Sequence, residues 1–285
     1  MMVPLDPAAA RFVRGWLGPP EGPGLLALHH ALAFQRPGLW GDVPGSPRGV
    51  ILVREGQTGL EAFGAGQPEP ALGWLIGRRR EFTLHAPEEW FEAARERLGA
   101  VEIDRVETWT GPGLAGPTPP PSRRPSGGTA RPATSPTATR GETAPAPAPG
   151  PSVRRLTETD AGTVVATIPP WGLRGWRAYP AMIEHGAGFA VPFGAGLASV
   201  AWIFDRAENY DALAVFTVPR FRRLRLGRAA VSALIRHVVR DRGRVPLWST
   251  AADNEPSRIM ARALGFSVAA EESLLRWPPR PAPET

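Results

Sequence analysis

The chain of 285 residues has no cysteine and, read from end to end, no lysine. Without cysteine there can be no disulfide staples, thiolate nucleophiles, zinc fingers or iron–sulfur clusters. A cysteine-free chain also suits a reducing compartment. Without lysine all 33 basic residues are arginine, and the sequence pI near 11.0 follows because no basic group titrates before guanidinium. The net charge is only +6, so the surface is weakly basic, and nucleic acid is not the expected partner. No apolar run reaches 18 residues, which excludes a spanning helix and makes a membrane partner unexpected. In Met1–Gly18, Asp6, Arg11 and Arg14 interrupt any leader-like apolar stretch. The expectation is a soluble cytoplasmic protein.

Glycine and proline are plentiful instead, at 32 and 34 residues. They concentrate in 112–152, where Leu114 is the only large apolar side chain and the net charge is +3. Such a stretch cannot offset its ordering entropy by burial, and reads as a disordered Pro/Ala/Thr-rich linker. It divides the chain into a unit at 1–111, a unit at 153–280 and a short tail at 281–285.

The first unit reads as α+β. Val50 to Arg54 is a short buried strand, Ala71 to Ile76 another candidate, and Val101 to Trp109 a third. Ala86-Pro87-Glu88-Glu89 opens a helix that places Trp90, Phe91, Ala94 and Leu98 on one face and ends at Gly99. His29 and His30 sit in an apolar helical run and read as packed or surface histidines. No catalytic constellation stands out.

In the second unit Thr157 caps a helix that stops at Pro169-Pro170. Gly188 to Val191, Leu197 to Phe204 and Asp211 to Val218 follow as an antiparallel meander with short turns. A helix from Leu226 to Arg242, a strand at Val245 to Thr250, a helix at Pro256 to Leu264 and a last strand or two at Phe266 to Trp277 complete it.

The informative segment is strand, loop, helix. Its strand ends at Val218, and the loop Pro219-Arg-Phe-Arg-Arg-Leu-Arg-Leu-Gly227 leads into the long helix. A helix start offers amides with no internal acceptor, a ready site for phosphate. Arg220, Arg222, Arg223, Arg225 and Arg228 surround it, and guanidinium groups bind phosphate with two parallel bonds. A solvated basic turn without a ligand would have the same composition.

The order Val218-Pro219-x-Phe221…Gly227, then Asn254, Ser257 and Leu264-Gly265-Phe266, resembles the GNAT superfamily of N-acetyltransferases over about residues 154–278. The resemblance implies a mixed, mostly antiparallel sheet flanked by helices, and an acetyl-CoA site without metal. The preceding α+β unit would be a degenerate copy of that fold, walling the acceptor site or forming a homodimer surface. By the same resemblance Phe216, Thr217 and Val218 would bond the pantetheine arm where two strands splay. The stretch Arg222, Arg223, Leu224, Arg225, Leu226, Gly227, Arg228 and Ala229 would hold the pyrophosphate, and Asn254 and Ser257 would line the arm or thiol end.

Two departures stand out. Arg223 and Arg225 replace loop glycines, so ordinary helical-turn geometry is expected there. Ala261 stands where many members carry a tyrosine that protonates the departing thiolate. Ser257 or a water would then replace it, the thiolate would leave unassisted, or the protein would bind without catalysing. Glu208 and Asp211 are the candidate general bases, with Tyr179, Glu184 and His185 as further candidates for the acceptor cleft. The expected activity is direct acetyl transfer to a primary amine on a small molecule or peptide. The alternatives are a GNAT-like CoA- or partner-binding module, and RNA or DNA association through the arginines.

Overall fold

A computed structural model describes residues 2–17, 23–34, 38–55, 59–111, 151–173, 175–176, 178–207 and 209–279. The linker expected over 112–152 falls almost wholly outside these residues, as does Glu208.

The first half contains β1 (Val3–Pro4), α1 (Pro7–Trp16), α2 (Pro23–Ala33), β2 (Leu39–Gly41), β3 (Gly49–Glu55) and β4 (Leu60–Gly66). It continues with α3 (Ala71–Gly77), β5 (Phe82–His85), α4 (Glu88–Leu98) and β6 (Glu102–Thr110). Local chemistry sets these limits. The Asp6 carboxylate accepts from the Ala8 and Ala9 amides at 2.8 Å, and Pro7 occupies the first helical position of α1. Glu88 and Glu89 begin α4, Arg95 and Arg97 end it, and Gly99 leaves it at φ 71°. The segment expected as a strand at Ala71–Ile76 is instead helix α3. Its buried residues Ala71, Leu72 and Leu75 recur at helical spacing, a period the short apolar run concealed.

The second half contains β7 (Arg154–Arg155), α5 (Ala161–Thr167), α6 (Tyr179–His185), β8 (Gly188–Phe193), β9 (Gly196–Ala207) and β10 (Tyr210–Thr217). Then come α7 (Leu226–Arg236), β11 (Val245–Ala251), α8 (Glu255–Ala263) and β12 (Ser267–Trp277). The α-helix ends six residues before the expected Arg242. The chain winds on as a π-helix over His237–Asp241, where the Arg242 amide reaches the His237 carbonyl. Glu158–Asp160 is a 3₁₀ turn ahead of α5, and the Asp160 carboxylate accepts from the Thr157 amide at 2.9 Å.

All twelve strands form one sheet in the order β1-β2-β3-β4-β5-β12-β6-β11-β10-β9-β8-β7. Among the described residues only β4 with β5 and β10 with β11 pair in parallel. The succession β1-β2-β3-β4-α3-β5-α4-β6 is repeated by β7-β8-β9-β10-α7-β11-α8-β12, so an approximate two-fold relates the halves. Its centre lies between β6 and β12, because each half inserts its last strand into the other. β6 pairs antiparallel with β11 and β12, and β12 pairs antiparallel with β5 and β6. The cores follow this exchange. Trp109 of β6 is buried among Trp202, Leu234 and Trp248 of the second half, and Leu275 of β12 among Leu72, Phe82 and Trp90 of the first. Burying a side chain of Leu or Phe size contributes roughly 1.5–3 kcal/mol, so each half depends on the other's strand.

Candidate active site

Parallel pairing of β10 and β11 stops after Ala212↔Leu247. At that point the pairing with β9 shifts, Ala212 facing Asp205 and Leu213 facing Ile203, so that β9 carries the extra residue, Phe204, as a bulge. Beyond it Leu213, Ala214 and Val215 on one side and Trp248 to Ala251 on the other line a cavity of about 520 Å³. Asn254 and Ser257, at the start of α8, line it as well.

The backbone beside this gap differs in detail from the sequence expectation. The Val218 amide donates to the Ala198 carbonyl at 3.0 Å, and the Val218 carbonyl accepts from the Phe221 amide at 2.8 Å. Both groups are therefore occupied. Strand groups alternate in direction, so Phe216 points with Val218 toward β9, while Val215 and Thr217 turn theirs to the side that β11 has left. Val215 and Thr217, not Val218, turn their main-chain groups to that side, the Thr217 carbonyl taking the Arg222 guanidinium; the Thr217 side chain meets Ser199 Oγ at 2.9 Å.

Past Val218 the chain makes a short 3₁₀ turn at Pro219–Phe221 and enters α7. Arg223 and Arg225 have φ of 64° and 60°. This corrects the expectation of ordinary turn geometry: the two arginines that replace glycines keep the left-handed conformation that favours glycine, at a cost of about 1–2 kcal/mol each. Arg225 precedes the first helical residue, and no side chain caps this end. The Leu226, Gly227 and Arg228 amides are the first three of the helix, whereas the Ala229 amide donates to the Arg225 carbonyl at 3.1 Å. Ala229 therefore offers no free amide, which corrects its place in the expected phosphate set. Gly227 is buried, and a Cβ there would lie 2.9 Å from Thr217 Oγ1, so only glycine lets α7 approach β10 this closely. Arg222, Arg223, Leu224, Arg225 and Arg228 are exposed around this end. Arg222 Nε donates to the Thr217 carbonyl at 3.4 Å, and the Arg228 guanidinium donates to the Ala263 carbonyl at 3.1 Å.

At the start of α8 the Asn254 side chain accepts from the Ser257 amide at 3.3 Å. The Trp248 indole N–H donates to Ser257 Oγ at 3.0 Å. Ser257 Oγ is therefore an acceptor in this contact, which leaves its own proton available for another bond, and Ser257 lines the cavity. Ala261 is fully buried in the core.

Asp211 does not face the cavity. It is completely buried, and the guanidinium groups of Arg242 and Arg244 hold its two oxygens at 2.9 and 2.8 Å, with Arg206 at 3.6 Å. A carboxylate so enclosed cannot reach a substrate amine, which removes it as a candidate base. Tyr179, Glu184 and His185 also lie off the cavity lining: the Tyr179 hydroxyl donates to the Thr157 carbonyl at 2.7 Å, with burial pushing its pKa up, and Glu184 pairs with His185 at 3.7 Å.

The first half supplies the opposite wall, one of the two roles expected for it, through residues that the sequence had not singled out. Arg54 of β3 donates from Nε to Glu61 of β4 at 2.9 Å and pairs with Asp205 of β9 at 3.2 Å, bridging the halves. Its guanidinium lies 4.6 Å from the Phe63 ring and 5.1 Å from the Phe204 ring. His85, at the end of β5, stacks on Phe63 at 4.7 Å. Burial holds its pKa down to about 4, with the Arg54 charge adding to the depression and Glu61 opposing it. His30 is a second tie between halves: its Nδ1 accepts from the Arg206 amide at 2.8 Å, and its Nε2 bonds the Gly175 carbonyl. Only strand alternation could have flagged Arg54, Glu61 and His85 as facing inward, and alternation does not say what they face.

Among the described residues no group of three His, Asp or Glu could hold a metal, and no helix is long and apolar enough to cross a membrane. The family model described as GNAT acetyltransferase matches residues 171–273. A GCN5-related N-acetyltransferase-like protein from Streptococcus suis superposes with a TM-score of 0.58 at 17% identity, over 84% of this chain and 87% of its own. A tandem GNAT protein from the clavulanic acid biosynthesis pathway gives 0.53 at 15% identity, over 97% of both chains. A GNAT-family acetyltransferase from Colwellia psychrerythraea gives 0.51 at 11%, over 97% and 98%. At these identities the likeness is one of fold, and the tandem neighbour fits the repeated halves described above. No curated protein matches the chain significantly.

Proposed function

We propose that this chain, whose residues 171–273 form a GNAT acetyltransferase domain, transfers an acetyl group from acetyl-CoA to a primary amine by direct attack. The observation that carries this reading is the parting of β10 and β11 beside an uncapped helix start. Acetyl-CoA is a diphosphate on a thin amide-bearing arm, and the parts present fit both pieces. The first amides of α7 and the exposed arginines take the diphosphate. The outward main-chain groups of Val215 and Thr217 take the arm's amides as an added strand would. Bound there, acetyl-CoA supplies the activated acyl group.

The chain's own residues do the rest. Trp248 orients Ser257, whose hydroxyl gives its proton to the departing thiolate in place of the tyrosine replaced by Ala261. Glu208, which falls between Ala207 and Asn209 in the sequence, is the proposed proton acceptor for the amine. Phe63, Phe204 and Trp171 give the reacting end an apolar lining. The acceptor enters between the halves, in a space that suits a small molecule better than a folded chain. A cytoplasmic location agrees with direct use of acetyl-CoA.

The buried alanine at 261 favours a second reading, a CoA-binding module without turnover. One pair of measurements separates them. Calorimetry with CoA tests the site, and release of free thiol from acetyl-CoA in the presence of primary amines tests the chemistry. Binding with thiol release supports the transferase, binding without release supports the module, and no heat with millimolar CoA rejects both.

A further inference from the structure

The approximate two-fold gives each part of the candidate site a counterpart in the first half. β4 and β5 stand as β10 and β11 do. Their parallel pairing stops at Phe63↔His85, as the other stops at Ala212↔Leu247. Three residues past that pair lie Gly66 in one half and Val215 in the other. The Gln67 amide donates to the Arg48 carbonyl, just before β3, at 3.0 Å. The carbonyl in the same planar peptide, that of Gly66, therefore points away from β3, to the side that β5 has left. It is the counterpart of the Val215 carbonyl, one of the groups assigned above to the cofactor's arm.

In the first half that carbonyl is already taken. The Trp90 indole N–H donates to it at 2.8 Å, and the Trp90 side chain is completely buried. Trp90 is the third residue of α4, the place that Ser257 holds in α8. Its ring packs in one core with Leu72, Leu75 and Leu84. It also lies close over β4: a Cβ on Gly64 would come 2.5, 2.6 and 2.8 Å from three ring carbons. Glycine inside a strand admits such an approach. The other end of the gap differs from its counterpart too. Gln67-Pro68-Glu69-Pro70 joins β4 to α3, and its prolines have no N–H to offer. The Leu72 amide is bonded to the Pro68 carbonyl at 2.8 Å. The Glu69 carboxylate, held by Arg97 of α4 at 2.7 Å, stands beside Gly73 in the first turn of α3. An ion pair of the chain's own thus occupies the flank where the second half exposes arginines.

We infer that the first half contains a second arm-binding gap, sealed from within by Trp90. Its indole takes the hydrogen bond that a cofactor amide would take, so each chain holds one CoA, in the second half. This rests on the cofactor site proposed above. It makes Trp90 a built-in ligand, and it leaves the first half to the cavity wall and the shared sheet.

Calorimetry of the full-length protein with CoA counts the sites, and amide hydrogen exchange with and without CoA locates them. The expected result is one equivalent per chain, with exchange slowed in 213–229 and unchanged in 62–73. Two equivalents, or exchange slowed in 62–73 as well as in 213–229, overturn the inference and leave the second half's site standing. No heat with millimolar CoA overturns the cofactor reading and this one together. Trp90→Ala tests the seal, with pantetheine, the arm without its diphosphate, as the probe. Removing the indole frees the Gly66 carbonyl and leaves a space that a small ligand can fill. Millimolar pantetheine should then slow exchange in 62–73 of the variant and leave 62–73 of the wild type unchanged. A folded variant whose residues 62–73 ignore pantetheine overturns the inference. Should Trp90→Ala fail to fold, the wild-type count and exchange pattern still decide.

Discussion

At the scale of single residues, backbone conformation marks the diphosphate site more firmly than side-chain identity does. Arg223 and Arg225 keep left-handed φ values that a glycine would adopt without strain. Arg225→Gly should therefore raise the unfolding free energy by about 0.5–1 kcal/mol and weaken CoA binding, a divergence that denaturant melts and calorimetry would register together. Gly227→Ala should do the opposite on stability. Its Cβ would press on Thr217 Oγ1, and forced overpacking of this kind typically costs about 1–3 kcal/mol. Retained melting temperature in Gly227→Ala would show that α7 is free to back away from β10. His85 gives a pH signature. Its pKa is about 4 in the folded protein against an ordinary 6.5, so the unfolded chain takes up a proton the folded one refuses. Stability should then fall as pH drops from about 6.5 toward 4, and His85→Phe should flatten that part of the profile.

At the scale of elements, the sequence was legible where one period or one cap dominated. The meander of β8, β9 and β10 shows in its alternation and short turns, and α4 and α8 show in their caps, prolines and following glycines. It was misleading where a run was short. Ala71–Ile76 is apolar enough for a strand, and only packing reveals its helical repeat. The end of α7 was hidden too, because the π-helical turn at His237–Asp241 preserves an apolar face that an α-helix would share. Candidate acids were judged by position in the chain, yet position cannot separate an acid that faces a cavity from Asp211, enclosed by three arginines. Spacing did bring Asn254 and Ser257 to the cavity, because capping fixes both at the start of α8. What spacing could not reveal is the Trp248 indole that holds the Ser257 hydroxyl. If that hydroxyl protonates the thiolate, Ser257→Ala should lower kcat by about a hundredfold or more, with KM for acetyl-CoA little changed. Trp248→Phe should lower kcat by a smaller factor, and an unchanged kcat in Ser257→Ala would assign the proton to water.

At the scale of the whole molecule, the exchange of β6 and β12 was invisible to a reading that divides the chain at its linker. Composition places the boundary at 112–152, but the sheet does not part there: the last strand on each side crosses into the other half's core. The consequence is mechanical as well as functional. The described sheet is continuous without help from residues 112–150, so cutting the chain among those residues should leave the halves associated. Trp109 would stay in one core and Leu275 in the other, and Arg54–Asp205 and His30–Gly175 would continue to tie the halves together. Limited proteolysis followed by size-exclusion chromatography should yield one peak containing both fragments, unfolding in a single transition. Residues 153–285 expressed alone should behave differently. Without β6, β11 and β12 lose their shared neighbour, the Trp109 site is emptied, and unpaired strand edges invite aggregation. Co-expression with residues 1–111 should restore a soluble complex. A monomeric, cooperatively folded second half would show instead that β12 can close directly on β11, and that the first half is an addition to a domain already complete.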